Sequence, residues 1–206
     1  DKASSPINLY GATKLAADKL FIASNSYSGQ QDTRFAIVRY GNVMGSRGSV
    51  IPFFLSQADS GVLSITDTRM TRFMITLEQG VDLVLHAFAD MVGGEIYVKK
   101  IPSMTIVDIA SASVPEAKHD IVGIRPGEKL HEQMISTEDA LHTYEYAEHF
   151  KVLPAIYNWS RDAKRISEGK LVHPDFSYSS DNNSEWMSAK MLTHWIAQNR
   201  GKIGKF

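Results

Sequence analysis

Apolar positions recur at helical spacing over residues 8–27, where Leu9, Ala12, Ala16, Leu20 and Ala23 form one stripe and Pro6 stands just ahead. That spacing predicts a helix. Residues 35–40 (Phe-Ala-Ile-Val-Arg-Tyr) are a short apolar run that suits a buried strand. A loop-like stretch rich in Gly and Ser follows over 41–49. A helix is then expected over 50–58 and a short strand over 63–66. The clearest amphipathic segment covers 77–91, with Leu77, Val81, Val84, Leu85 and Phe88 on one face. A strand (95–98), a helix (104–114) and a further strand (120–124) continue the alternation. Beyond Ser136 the pattern weakens. Residues 143–152 read as a hairpin or an irregular segment, 162–184 are largely polar, and 185–199 suit a closing helix.

Alternating strands and helices predict an α/β layer fold, with too few parallel βα units for a complete doubly wound domain. No G-x-G-x-x-G or G-x-x-G-x-x-G turn occurs, so the phosphate-binding turn of a nucleotide-cofactor domain is not in this sequence. The opening residues, Asp1-Lys2-Ala3-Ser4-Ser5, include neither an initiator Met nor a signal peptide. The expectation is a piece of a longer protein.

Composition narrows the function classes. At 206 residues, 43% hydrophobic and 10% aromatic, the chain can bury a core and is not disordered. Its 22 basic and 23 acidic residues leave a net charge of −1, which argues against a nucleic-acid binder and a polybasic membrane anchor. No apolar run approaches the roughly 18 residues of a membrane span. The absence of cysteine excludes disulfides, thiolate zinc sites and cysteine nucleophiles, and suits a cytoplasmic location. Seven histidines form no metal-binding pattern and there is no G-x-S-x-G elbow, so neither a metal site nor a serine hydrolase is expected.

Three constellations carry candidate chemistry. Tyr10-Gly-Ala-Thr-Lys14 puts a phenol and an ammonium at i and i+4 on one helical face. In a dehydrogenase, Lys14 there favours the phenolate, which takes a proton from a sugar hydroxyl; the same spacing also describes a solvated helix face. Asp1-Lys2 offers an acid and a base, or merely a solvated pair. Adjacent strand residues point apart, so both reach one substrate only in a loop or at a strand end. The third is Ile124-Arg125-Pro-Gly-Glu128-Lys-Leu-His-Glu132. It reads as a turn followed by a capped helix, or as Arg125 held by Pro-Gly to clamp a diphosphate. Arg69 and Arg72 are near enough in sequence to each other to supply a second cation.

As a set, these residues resemble the extended short-chain dehydrogenase/reductases, and more narrowly the inverting UDP-N-acetylglucosamine 4,6-dehydratases of pseudaminic acid biosynthesis. Besides Asp1-Lys2 and Tyr10-x-x-x-Lys14, the resemblance rests on Arg39-Tyr-Gly-Asn-Val-Met-Gly-Ser-Arg-Gly-Ser49, Asp67-Thr-Arg-Met-Thr-Arg-Phe73, Lys100-Ile-Pro-Ser-Met104, residues 123–132 and Asp175-Phe-Ser-Tyr-Ser-Ser180. It spans essentially the whole chain in the expected order. Tyr10 separates the sequence from the related retaining, membrane-anchored dehydratases, which carry Met there.

The resemblance implies the C-terminal part of an extended short-chain dehydrogenase (Rossmann-type) fold with a small substrate-binding subdomain, the glycine-rich N-terminal half being absent from the sequence. Residues 1–100 would be the remainder of the catalytic domain with interleaved substrate-binding segments, and 101–206 mainly the substrate-binding subdomain and C-terminal tail. Tyr10 and Lys14 would oxidise the sugar at C4 with NADP rather than NAD as hydride acceptor. Lys2 would remove the C5 proton and Asp1 would protonate the departing C6 hydroxyl. Val43, Met44, Gly45, Ser46 and Arg47, with Tyr10 and Lys14, would contact the cofactor; Asn42, Arg72, Arg125 and Glu128 would hold UDP-N-acetylglucosamine. A homo-oligomer is implied for the full protein. The rival readings are a nucleotide-sugar epimerase or reductase, which needs no C6 acid or C5 base, and a non-catalytic UDP-sugar-binding module.

Overall fold

The computed structural model describes residues 1–28, 32–155 and 162–205. In chain order its elements are α1 (Leu9–Tyr27), β1 (Ile37–Arg39), β2 (Asn42–Val43), α2 (Val50–Ser56), β3 (Val62–Ile65), β4 (Thr71–Ile75), α3 (Leu77–Asp90), β5 (Ile96–Lys99), β6 (Ser103–Thr105) and α4 (Ile106–Ser113). There follow β7 (Lys118–Ile121), β8 (Gln133–Ile135), α5 (Thr137–Ala140), β9 (Thr143–Glu145), β10 (His149–Val152), α6 (Ala163–Ile166), β11 (Lys170–Leu171), β12 (Tyr178–Ser179) and α7 (Ala189–Asn199). They divide between two compact units, one of Asp1–Tyr40, Glu78–Lys100 and Gln133–Ser179, the other of Gly41–Leu77, Ile101–Glu132 and Ser180–Phe206. Each unit draws on three stretches of chain.

The first unit is built on a five-stranded sheet in the order β1-β5-β10-β9-β11. β1 and β5 pair in parallel, as a Rossmann-type remainder requires, and β10 adds antiparallel to β5. β9 and β10 form the hairpin anticipated over 143–152. Asn8 starts α1: its backbone is extended and its side chain accepts the Gly11 N–H at 2.8 Å, satisfying one helix-end donor. Leu83, Ala87 and Tyr97 form the buried centre where α3 lies on the sheet.

The helices at 9–27 and 77–90 lie where the periodicity predicts, but their apolar stripes do not point inward. On α3, Leu77, Val81, Leu85 and Phe88 are exposed, while Gly80, Leu83 and Ala87 are buried. Leu83 and Ala87 pack against Tyr97 of the sheet, and the longer apolar stripe is left outside. On α1, Leu9 and Leu20 are exposed and Gly11 is buried. Its inner side is fixed partly by charge. The buried Arg39 guanidinium donates to Asp18 at 3.1 and 3.2 Å, to Asp139 at 3.1 Å and to the Met134 carbonyl at 3.0 Å.

The second unit holds a three-stranded sheet (β2-β4-β6) and a parallel pair (β3-β7). α2, α4 and α7 pack a core of Ile51, Phe54, Leu63, Met74, Met104, Ile109 and Leu192. β4 escapes the sequence reading altogether: Arg72 within it and Arg69 just ahead of it hid a strand whose five residues are all buried. The helix expected from residue 104 begins two residues later. Thr105 stays extended, pairs in β6, and caps α4 by accepting the Asp108 N–H at 3.0 Å. No helix follows Pro126-Gly127; the chain turns at Gly127 (φ +78°) and runs on to β8.

Candidate functional site

The expected site residues fall into two groups, one in each unit. In the first unit, Asp1 and Lys2 lie in the irregular segment before α1, the setting in which neighbours can face one substrate. Their side chains approach at 3.9 Å between Nζ and Oδ1, with Asp1 largely covered and Lys2 about half exposed. Tyr10 and Lys14 stand one turn apart near the start of α1. The Lys14 Nζ sits over the Tyr10 ring, 5.2 Å from its centroid, a cation–π approach. Tyr10 is 61% exposed, so its hydroxyl is open to a ligand. A carboxylate, two ammonium groups and a phenol therefore occupy 14 residues of one unit.

In the second unit, the chain leaves β2 through a tight turn over 43–47. Gly45 (φ +73°) permits it, and a Cβ there would lie 3.0 Å from the Trp195 ring. Met44 is a core residue at 3% exposure, with its N–H on the Ile75 carbonyl at 2.8 Å. Of the five residues expected to meet a cofactor, it can offer only main chain. Arg47 is exposed. Asn42 Oδ1 is buried with no hydrogen-bond partner. Such an acceptor is costly unless a donor arrives.

A cleft of about 270 Å³ gathers Arg72, Arg125 and Glu128 together with Ser49, Thr66 and Phe53. The two cations differ in what they have left to give. Arg125 is exposed, and its N–H donates to Glu128 Oε2 at 3.3 Å, closing the Pro-Gly turn. Arg72 is 8% exposed and already donates to the carbonyls of Thr71 (2.7 Å), Leu130 (3.1 Å) and Lys129 (3.1 Å), with Glu132 at 3.9 Å from Nε. Burial pulls its guanidinium below the usual value, against the opposing charges of Glu132 and Glu128. Arg69 is outside the cleft and committed to Asp67 at 2.7 Å, which holds that carboxyl down at about 2 through its hydrogen bonds. Ser49, which the motifs did not single out, lines the same cleft with a buried hydroxyl oxygen lacking any partner. Only its place at the end of the Gly/Ser loop could have flagged it.

Among the described residues no group of three or more His, Asp or Glu could hold a metal ion, and no helix is long and apolar enough to cross a membrane.

The chain is 52% identical over 208 residues to the inverting UDP-N-acetylglucosamine 4,6-dehydratase of Campylobacter jejuni subsp. jejuni serotype O:2, covering 98% of this chain and 62% of that protein. It is 41% identical over 157 residues to UDP-glucose 4-epimerase of Rickettsia conorii, covering 74% of this chain and 46% of the epimerase. Among solved structures it superposes on Pen from Bacillus thuringiensis with a TM-score of 0.82 at 33% identity, over 96% of this chain and 59% of that one. The chain thus spans less than two thirds of the length of these proteins. The profile of the polysaccharide biosynthesis protein family matches residues 1–154, and the chain belongs to that family.

Proposed function

We propose that the full-length protein carrying this chain is an inverting UDP-N-acetylglucosamine 4,6-dehydratase, acting early in pseudaminic acid synthesis. The observation that carries this reading is the Asp1–Lys2 pair at 3.9 Å in the same unit as Tyr10 and Lys14. The first pair serves elimination across C5 and C6, and the second serves oxidation at C4. A 52% identity to a protein of that activity supports it.

The residues fit a nicotinamide cofactor. Lys14 and the exposed Tyr10 share one helix face. We assign NADP. Bound there, it would accept a hydride from C4 and return it to C6. Tyr10 takes the C4 hydroxyl proton as the ketone forms, with the Lys14 ammonium beside its ring. The ketone acidifies the C5 proton, and Lys2 removes it. Asp1 gives a proton to the C6 hydroxyl, which leaves as water. Reprotonation of C5 on the opposite face inverts that centre, and the net change is loss of one water with no external reductant. In the cleft, Arg125 binds the diphosphate of the UDP portion while Arg72 and Glu128 shape the loop that presents it.

The test is to incubate the full-length protein with UDP-N-acetylglucosamine, adding no reductant, and follow the sugar by proton NMR. A C6 methyl signal with a ketone at C4 is expected. The second reading, a 4-epimerase, is favoured by the 41% identity to the Rickettsia enzyme. It predicts the C4 epimer with the C6 hydroxymethyl intact.

A further inference from the structure

Asp1 and Lys2 lie outside any helix or strand, yet their place is fixed at two points. Ser5 has φ +44°, the left-handed region that residues with a Cβ seldom adopt, and there the chain reverses. Ala3 and Ser4, ahead of the reversal, are buried. The returning chain brings the Lys2 carbonyl against the first turn of α1 at Gly11, the buried residue of that helix. A Cβ on Gly11 would stand 2.7 Å from the Lys2 carbonyl oxygen and 2.9 Å from Pro6 Cβ. Both are shorter than packed atoms tolerate, and the nearer obstacle is main chain, which cannot rotate aside. Nor can the helix start retreat, because the Gly11 N–H is the one Asn8 caps at 2.8 Å. Glycine inside a helix is unfavourable relative to alanine. Its position between Tyr10 and Lys14 is explained by this contact.

We propose that Gly11 is a positioning residue, its missing side chain setting the distance between the C5 base Lys2 and the C4-oxidising pair Tyr10 and Lys14. The inference rests on the dehydratase reading above. C4 and C5 are neighbouring carbons, so two steps on them need their groups held in one register. A displacement approaching 1 Å is enough to disable one step and spare the other. With Lys2 pushed away, α1 still supports oxidation and re-reduction at C4, which is all that an epimerase requires.

The experiment is Gly11→Ala in the full-length protein with NADP bound. In single turnover, reduction of the nicotinamide by UDP-N-acetylglucosamine should stay within about threefold of wild type. Deuterium uptake at C5 from heavy water should fall by roughly 30-fold or more. Amide hydrogen exchange without substrate should rise at residues 3–7 and stay constant over the rest of α1. Should Gly11→Ala not fold, Ser5→Gly loosens the reversal without adding an atom, and must lower C5 exchange relative to C4 oxidation several-fold. A wild-type ratio of the two steps in folded Gly11→Ala, or in Ser5→Gly, overturns the proposal. A wild-type protein that interconverts C4 but never exchanges C5 overturns the dehydratase reading instead, so the two failures are distinct.

Discussion

In the unit that carries Tyr10, Tyr10 and Lys2 are exposed, Asp1 is largely covered, and a buried arginine locks the helix behind them. Tyr10 is 61% exposed and Lys2 about half exposed, while Arg39 ties α1 to Asp139 and the Met134 carbonyl from a buried position. The unit that carries the cleft divides the work differently. One arginine, Arg72, is buried and committed to three carbonyls, and the other, Arg125, remains available. The difference teaches that residue type does not assign a role. Two arginines of one cleft differ in what they have left to offer a ligand, because one is desolvated and bonded to carbonyls and the other is exposed.

This contrast can be broken most sharply at Tyr10. Tyr10→Phe should lower turnover by about 10²–10⁴-fold, the usual worth of a positioned acid–base group, with the melting temperature unchanged because the ring is exposed. A large loss of stability in that variant would place Tyr10 among the structural groups. Arg72→Ala should do the reverse. Leaving the Leu130 and Lys129 carbonyls without their buried donor costs about 1–3 kcal/mol per group, read by chemical denaturation. A stable Arg72→Ala protein that merely binds UDP-sugar weakly would return Arg72 to the phosphate. Arg125→Ala should weaken UDP-N-acetylglucosamine binding by roughly 1.5–3 kcal/mol, as expected for a charged hydrogen bond, and calorimetry should show it with folding intact.

The smallest effect concerns His149 in the first unit. It stacks on Tyr146 at 4.6 Å, lies 4.6 Å from the His86 ring, and has a buried Nε2 without a partner. Burial, then the charges of His86 and Lys151, push it from 6.5 to about 4, against the opposing pull of Asp90. The unfolded chain therefore binds a proton between these values that the folded chain refuses. Its contribution is fully present above about pH 6.5 and is lost as pH falls toward 4. His149→Phe should flatten that part of the stability–pH curve, and an unaltered curve would reject the assignment.

The parts of the fold that were legible are those whose pattern is local. A 3.6-residue period marks α1 and α3, and an uninterrupted apolar run marks β1. What the period did not disclose is which side faces in. On α3, Leu83 and Ala87 face the sheet against Tyr97, whereas a stripe of Leu, Val and Phe suggests the opposite face. β4 was hidden because its Arg72 looks like a surface charge until its carbonyl partners, 57 and 58 residues away, are known. The site was legible as motifs, since Tyr10-x-x-x-Lys14 and Asp1-Lys2 each require only nearby residues. Ser49 was not, because its orphaned hydroxyl depends on segments distant in sequence, as does the burial of Met44, which the resemblance had placed at the cofactor.

The central claim is that Lys2 is the base that opens C5. Its most direct test is to run wild-type and Lys2→Ala full-length protein on UDP-N-acetylglucosamine in heavy water and read C5 by proton NMR. Wild type should give a 4-keto-6-deoxy sugar carrying deuterium and the inverted configuration at C5, while Lys2→Ala binds the nucleotide sugar yet leaves the C5 proton in place. Normal deuterium incorporation by Lys2→Ala would contradict the account.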